Sequence, residues 1–383
     1  MRANPIAVVA ALGTAQTLAY GSTYYLPAVL ANAMAAELGL GTVWVFVGFS
    51  AGLLVAAALG PWAGRLIDLF GGRQVLAGSS IVFAAGLAIL GAAPGPVMLI
   101  LGWLVIGAGM SAGLYEAAFA TLARIYGADA RRSITGITLI AGFASTICWP
   151  LSAWMDASIG WRATCYVWAA AHLVIGLPLN LFLPHTRAAA PAAQQAQAPA
   201  TRARYAAMAA LAFVFASGWF CSTAMAAHLP RVLQEAGASL PAAIAAGALI
   251  GPAQVAARLL EFSVVRHIHP LVSARIDTLA HPVGVAGLAV AGAPAAPFFT
   301  VAHGAGNGVM TIAIGTLPLA LFGAAGYGLR QGLLIVPARL AQAAAPFLFD
   351  VLLVRYGLGA LGLTVGLSLA SCLVLLALPA RPK

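Results

Sequence analysis

The chain has 383 residues, 62% of them hydrophobic and only 7% charged, with a formal net charge of +10. Soluble domains carry about 25% charged residues, so this composition excludes a water-exposed surface, and the mean hydropathy of +0.97 fits a lipid-facing one. The Arg residues are scattered through short breaks rather than gathered on one face, which excludes nucleic acid as a partner.

A helix needs about 20 apolar residues to cross a bilayer, so the length holds about a dozen spans and little else. The apolar runs are 6–30, 43–62, 75–92, 97–122, 134–155, 163–183, 205–229, 242–262, 276–291, 298–321, 332–354 and 358–378. They are continuous rather than alternating, which selects helices over barrel strands. The predicted fold is an all-α polytopic membrane protein of 12 transmembrane helices, arranged as two pseudo-symmetric six-helix bundles. The first run is too long for a signal-peptide core and reads as a retained helix. The ninth begins with Asp277 and His281, which places them at a cytoplasmic helix start.

With the N-terminus inside, Arg2, Arg65, Arg73, Arg124, Arg131, Arg132, Arg187, Arg202, Arg204, Arg266, Arg275, Arg330, Arg381 and Lys383 fall on one side. The other side receives Arg162, Arg231 and Arg355. The positive-inside rule then puts both termini in the cytoplasm, and the expected location is a bacterial inner membrane. The stretch 184–204 is rich in Ala, Pro and Gln and reads as a cytoplasmic linker between halves 1–183 and 205–383. The halves echo each other in order: YGSTYYLP (20–27) with FCSTAMAAHLP (220–230), RLID (65–68) with RLLE (258–261), AGLA (85–88) with AGLA (286–289), and GAG (107–109) with GAG (304–306). Parallel six-helix repeats of this kind build a transporter around a central site.

The loop after the second span reads Gly60-Pro61-Trp62-Ala63-Gly64-Arg65-Leu66-Ile67-Asp68-Leu69-Phe70-Gly71-Gly72-Arg73. It resembles the signature loop of the major facilitator superfamily, Gly-x-x-x-Asp-x-x-Gly-x-Arg, with Gly64, Asp68, Gly71 and Arg73 on its fixed positions. The resemblance implies a conformational latch built from Gly64, Arg65, Asp68, Gly71 and Arg73, with Arg258 and Glu261 as a degenerate second copy. An Arg in the fourth span and a Gly-Pro ending of the fifth, both usual in drug exporters of the superfamily, are absent. The segments 251–261 and 304–318 are similar to bacterial carriers grouped with monocarboxylate and oxalate–formate transporters.

Ionisable groups at membrane depth are costly and point to function. Arg339 lies ten residues past Leu329, about 15 Å into the eleventh span and near the midplane. Gln342 shares its face, and a guanidinium there suits a carboxylate held by two parallel hydrogen bonds. Gln16, Tyr20 and Tyr24 form a polar stripe on the first span. His303 and Asn307 share a face of the tenth, and Trp149 on the fifth is positioned to close a cavity. These eight residues are the expected substrate-binding set. The competing roles are pairing with a helix carbonyl or with an acid of the opposite half for Arg339, interhelical hydrogen bonding for the first-span stripe, a structural histidine for His303, and packing or interfacial anchoring for Trp149. Glu116, eight residues before Arg124, and His228 are the candidates for proton coupling. Their structural alternatives are pairing with Arg124 or Arg258 and snorkelling at the outer end.

The four cysteines form no CxxC or Cys/His pattern, so no metal or other cofactor is expected. No ATP-binding motif or catalytic constellation stands out, so an enzyme is not expected. The expected function is a secondary active transporter working as a monomer by alternating access, proton-coupled, taking up a small organic solute such as a monocarboxylate anion. The alternative within the class is proton-driven efflux of amphipathic or toxic compounds. A non-transporting membrane sensor or assembly partner would need an output module that the short loops do not supply.

Overall fold

A computed structural model describes residues 4–185, 202–264 and 268–378. Most of the predicted linker, and with it Arg2, Arg187, Arg266, Arg381 and Lys383, lie outside these. Among the described residues all regular structure is helical. The chain divides into two compact units, Met1–Gln197 with Phe322–Leu333, and Ala198–Leu321 with Leu334–Lys383.

In the first unit, α1 (Pro5–Ala19) continues through a π-turn, Tyr20–Tyr24, into α2 (Leu26–Glu37). The first span is therefore broken in its middle and runs past the predicted end at residue 30. Asn4 caps α1 by accepting from the Ile6 N–H at 3.0 Å, with Pro5 at the position that needs no donor. α3 (Val43–Phe70) and α4 (Gly72–Ala92) meet at Gly71, whose φ of +91° only glycine adopts easily. The fourth span divides into α5 (Pro96–Gly113) and α6 (Tyr115–Tyr126). The fifth and sixth comprise α7 (Ala130–Ala141), α8 (Ala144–Ala171), a second π-turn at His172–Gly176 and α9 (Leu177–Phe182). α8 contains the turn between those two spans, at Gly160 with φ +79°.

α3 and α4 pack on α5, α4 on α8, and α1 on α7. α3 meets α5 through glycines: a Cβ on Gly52 would meet the Trp103 carbonyl at 2.6 Å, and one on Gly107 would collide with Gly52. Small residues let membrane helices approach to backbone contact. Ser22 Oγ and His172 Nε2 join the two π-turns at 2.8 Å, and both residues are buried. π-turns occur often at functional sites.

The second unit contains α10 (Arg202–Glu235), α11 (Leu240–Gly247), α12 (Ile250–Ser263), α13 (Pro270–Ala291) and α14 (Ala296–Phe322). α15 (Tyr327–Tyr356) begins in the first unit and continues in the second, and α16 (Leu361–Ala377) follows. α13 and α10 both pack on α16. The core includes Phe220, Met225, Leu229, Phe299, Phe349 and Leu353. Among the described residues seven stretches are long and apolar enough to cross a membrane, and two of them, Pro96–Phe182 and Tyr327–Ala377, contain more than one span. The first span is missing from them because it is interrupted at Tyr25, leaving α1 and α2 at 15 and 12 residues; α13, which carries Arg275, Asp277 and His281, is missing too.

α13 corrects the predicted ninth span. It starts at Pro270, capped by His269 Nδ1 accepting from the Leu271 N–H at 3.2 Å, not at residue 276. Asp277 and His281 are therefore about two and three turns inside a helix and buried, rather than at its start.

Candidate functional site

The signature loop has a defined geometry within the first unit. Asp68, two residues before the end of α3, accepts from the backbone N–H of Gly328 at 2.9 Å and of Leu329 at 2.8 Å. These are among the first N–H groups of α15, which have no partner within the helix. A carboxylate there also meets the positive end of the helix dipole. Arg124 donates to the Asp68 carbonyl oxygen. Gly64 and Gly328 lie backbone to backbone, so a Cβ on either would collide with the other. Arg73 contacts His185 Nδ1 at 2.9 Å, and Arg65 is exposed.

The second copy is arranged differently. Arg258 is buried and donates to the Gly308 carbonyl at 3.3 Å and to Thr311 Oγ1 at 3.3 Å. Glu261 accepts from Ser273 Oγ at 3.4 Å. This pair ties α12 to α13 and α14 inside the second unit.

Of the predicted substrate set, Tyr20, Tyr24 and Trp149 come together in an aromatic cluster. Tyr20 packs against Tyr115 with ring centroids 4.6 Å apart and against Tyr24 at 5.9 Å. Tyr25 meets Trp149 edge-on at 6.0 Å, and Tyr24 meets Phe49 at 5.5 Å. The π-turn places Tyr20, Tyr24 and Tyr25 within this cluster. Gln16 is buried and donates to the Gly113 carbonyl at 2.8 Å, a carbonyl in the last turn of α5. Glu116 lies in the first turn of α6, just past the extended Leu114, so its carboxyl stands at a helix N-terminus inside a span.

In the second unit, Arg339 is 2% exposed and donates to Gln342 Oε1 at 3.0 Å, a contact that their i, i+3 spacing allows. His303 and Asn307 line a cavity of about 50 Å³ together with Ser222, Asp277, Thr278 and His281. The last three are functional candidates that the sequence reading passed over. His303 Nδ1 lies 3.0 Å from His281 Nδ1, and His281 Nε2 lies 2.8 Å from Thr364 Oγ1. His228 is placed elsewhere: its Nε2 lies 2.8 Å from the Pro346 carbonyl oxygen and its Nδ1 3.9 Å from Asp350. Arg231 also meets Asp350, at 3.0 Å.

Beyond the predicted end of the first span, Glu37 accepts from Arg162 Nε and from Trp161 Nε1, each at 2.6 Å. The Arg162 hydrogen bond holds the Glu37 carboxyl below the usual carboxylate range.

Apolar helices carrying buried polar side chains, with a carboxylate clamped on a helix N-terminus, define a multi-pass membrane protein of transporter type. The Major Facilitator Superfamily model matches residues 12–299. The chain belongs to that superfamily. It is 31% identical over 173 residues to an uncharacterized 38 kDa protein in the 23S RNA operon of Thermoproteus tenax, covering 44% of this chain and 45% of that one. It is 27% identical over 161 residues to the proton myo-inositol cotransporter hmit-1.2 of Caenorhabditis elegans, covering 38% and 24%. The matches thus span less than half the length of these relatives.

Among solved structures, the fold is similar to the human organic anion transporter MFSD10 (TETRAN), with TM-score 0.71, 16% identity and coverage of 97% and 99%. The proton:xylose symporter XylE gives TM-score 0.72, 12% identity and coverage of 96% and 94%. FucP in the outward conformation gives 0.75, 14% identity and coverage of 96% and 97%.

Proposed function

We propose that the chain is a secondary active transporter for a small organic anion such as a monocarboxylate, driven by protons and working by alternating access. The observation that carries the anion is Arg339. A guanidinium held at 2% exposure on an apolar helix, hydrogen-bonded to Gln342 on the same face, is costly unless it has a task. A planar carboxylate matches its donor fork. Similarity to an organic anion transporter is consistent with this solute class.

In this reading residues 1–183 and 205–383 are the two six-helix halves and 184–204 joins them. Both termini face the cytoplasm of a bacterial cell, the membrane is the inner one, and the monomer is the working unit. Asp68 on the N-terminus of α15 is the latch, with Gly64, Arg65, Gly71 and Arg73 supporting it. Glu116, at its helix N-terminus, is a coupling acid. His228, bonded to the Pro346 carbonyl, fits an outer brace better than a proton carrier.

One observation favours a second solute class. The aromatic cluster around Tyr20 and Tyr24 suits stacking on a sugar or polyol ring, and the segmental relative in Caenorhabditis elegans is a myo-inositol cotransporter.

The test is thermal stabilisation of the purified protein by carboxylates, polyols and amphipathic cations at acid and neutral pH. A ligand that binds the folded state raises its stability by mass action. A carboxylate that stabilises wild type but not Arg339→Ala or Arg339→Lys supports the anion carrier. Stabilisation by polyols alone establishes the second class. Stabilisation by amphipathic cations alone moves the function to efflux.

A further inference from the structure

We propose that Asp277, together with the hydrogen-bond chain from His303 through His281 to Thr364, is an internal proton-binding site of the second unit. This deepens the proton-coupled reading above, and its test reads proton binding without any solute, so the two can fail separately.

Three elements build the site. Asp277 and His281 are one turn apart on α13, His303 projects from α14, and Thr364 from α16. Asp277, His281 and His303 are at most 7% exposed, and all line the 50 Å³ cavity with Asn307, Ser222 and Thr278. Among the described residues, Asp277 Oδ1 has no hydrogen-bond partner. It points at Gly306, where a Cβ would stand 3.1 Å from it. With that oxygen buried and unpaired, an ionised carboxylate is poorly compensated for its lost hydration; a bound proton removes the charge.

The neighbouring charges are otherwise engaged. On α12, Arg258 donates to the Gly308 carbonyl, Gln254 and Thr311. Glu261 accepts from Ser273 and is near enough to act on Asp277 electrostatically. On α13, Arg275 donates to the Leu375 and Leu378 carbonyls. The Cys221 thiol of α10 is directed at the Thr364 carbonyl, and the Cys372 thiol of α16 at the Arg275 carbonyl.

The histidine pair makes the site a proton site rather than a metal site. Two neutral imidazoles meeting Nδ1 to Nδ1 at 3.0 Å hold one hydrogen between them, so neither of these nitrogens has a lone pair free for a metal. Among the described residues no three His, Cys, Asp or Glu side chains are placed to hold a metal ion.

The chain closes in either direction. If Thr364 donates to the Leu361 carbonyl, 2.9 Å away, His281 donates from Nε2 to Thr364 and accepts at Nδ1 from His303. If Thr364 instead donates to His281 Nε2, His281 donates from Nδ1 to His303. A proton from solution either converts the Asp277 carboxylate to the acid or gives a His281 imidazolium that donates from both nitrogens. Release reverses the step, and no other bond changes.

The experiment is a pH titration of the reconstituted protein by infrared difference spectroscopy with 13C-carboxyl-labelled aspartate, in choline chloride and again in sodium chloride. In the labelled wild type, an aspartic-acid carbonyl band is expected to titrate. It should survive Asp68→Asn and disappear in Asp277→Asn, with about one fewer proton released per chain across the range. His303→Gln is expected to move its midpoint by about one pH unit or more. That shift in labelled protein decides the matter even if Asp277→Asn does not fold. A band that persists in Asp277→Asn, or a midpoint indifferent to His303→Gln, overturns the proposal. A sodium-dependent shift of the wild-type midpoint also overturns it and makes the cavity a metal-cation site.

Discussion

Asp68 and Leu329 are 261 residues apart in sequence, yet the carboxylate of one holds the backbone N–H of the other at 2.8 Å. Two helices are joined here through a side chain on one and bare backbone on the other. Replacing Asp68 by Asn keeps the shape but removes the charge and one of the two acceptors. A charge-assisted hydrogen bond contributes about 1.5–3 kcal/mol, so the detergent-solubilised Asp68→Asn protein should unfold at a measurably lower temperature. Unchanged stability would mean that the carboxylate contributes nothing at the α15 N-terminus.

Gly64 and Gly78 should separate sharply under the same change. A Cβ at Gly64 collides with the Gly328 backbone, whereas nothing lies within 4 Å of one at Gly78. Gly64→Ala should reduce the yield of folded protein, and Gly64→Leu should abolish it. Gly78→Ala, in the interior of α4, should be neutral or gain up to about 1 kcal/mol from helix propensity. Size-exclusion profiles and thermal midpoints of the three variants test this.

The Glu37–Arg162 pair carries an acid-sensitive contribution. Glu37 has a lowered folded-state pKa, so the unfolded chain binds its proton first as pH falls. The contribution is complete above the unfolded carboxyl range of about pH 4.3 and is lost as pH drops through the lower folded value. Glu37→Gln should flatten that part of the stability–pH curve and leave the neutral end little changed, because exposed pairs are weak. High salt should reduce the difference.

Gln16→Ala should act through α5 rather than through a ligand. The lost side chain leaves the buried Gly113 carbonyl without the donor that reaches it at 2.8 Å, an exposure worth about 1–3 kcal/mol. A fall in thermal midpoint with unaltered ligand stabilisation is the expected result. Loss of ligand stabilisation with an unaltered midpoint would instead support Gln16 as a substrate-binding residue.

Composition and run length made the membrane class and the helical count legible, because lipid leaves the backbone no alternative. The Gly64–Arg73 motif likewise pointed to the family. The breaks were not legible. The π-turn at Tyr20–Tyr24 lies in an unbroken apolar run, and hydropathy does not register a change in hydrogen-bond register. α13 was misplaced for a different reason. Arg275 looked like loop charge, but its guanidinium donates to carbonyls at the end of α16, where a cation meets the negative end of a helix dipole. Pro270 after a potential cap at His269 was the signal that could have moved the start and carried Asp277 and His281 into the interior. The His281–His303 contact depends on how α13 packs against α14, which spacing along one helix does not encode.

Along α3, Gly48 and Gly52 face Trp103 on α5, while Gly60 and Gly64 meet the Gly332 and Gly328 backbones on α15. At 3.6 residues per turn the two groups point about 120° apart around the helix. Packed membrane helices usually resist axial slip because knobs must leave their holes. Where glycine backbone passes over glycine backbone there are no knobs to withdraw, so the α15 flank of α3 is a smooth track, whereas on the α5 flank the Trp103 side chain seated over Gly48 is a knob that must leave its place. The grip along its α15 flank is concentrated at one end, in the two N–H groups that Asp68 holds.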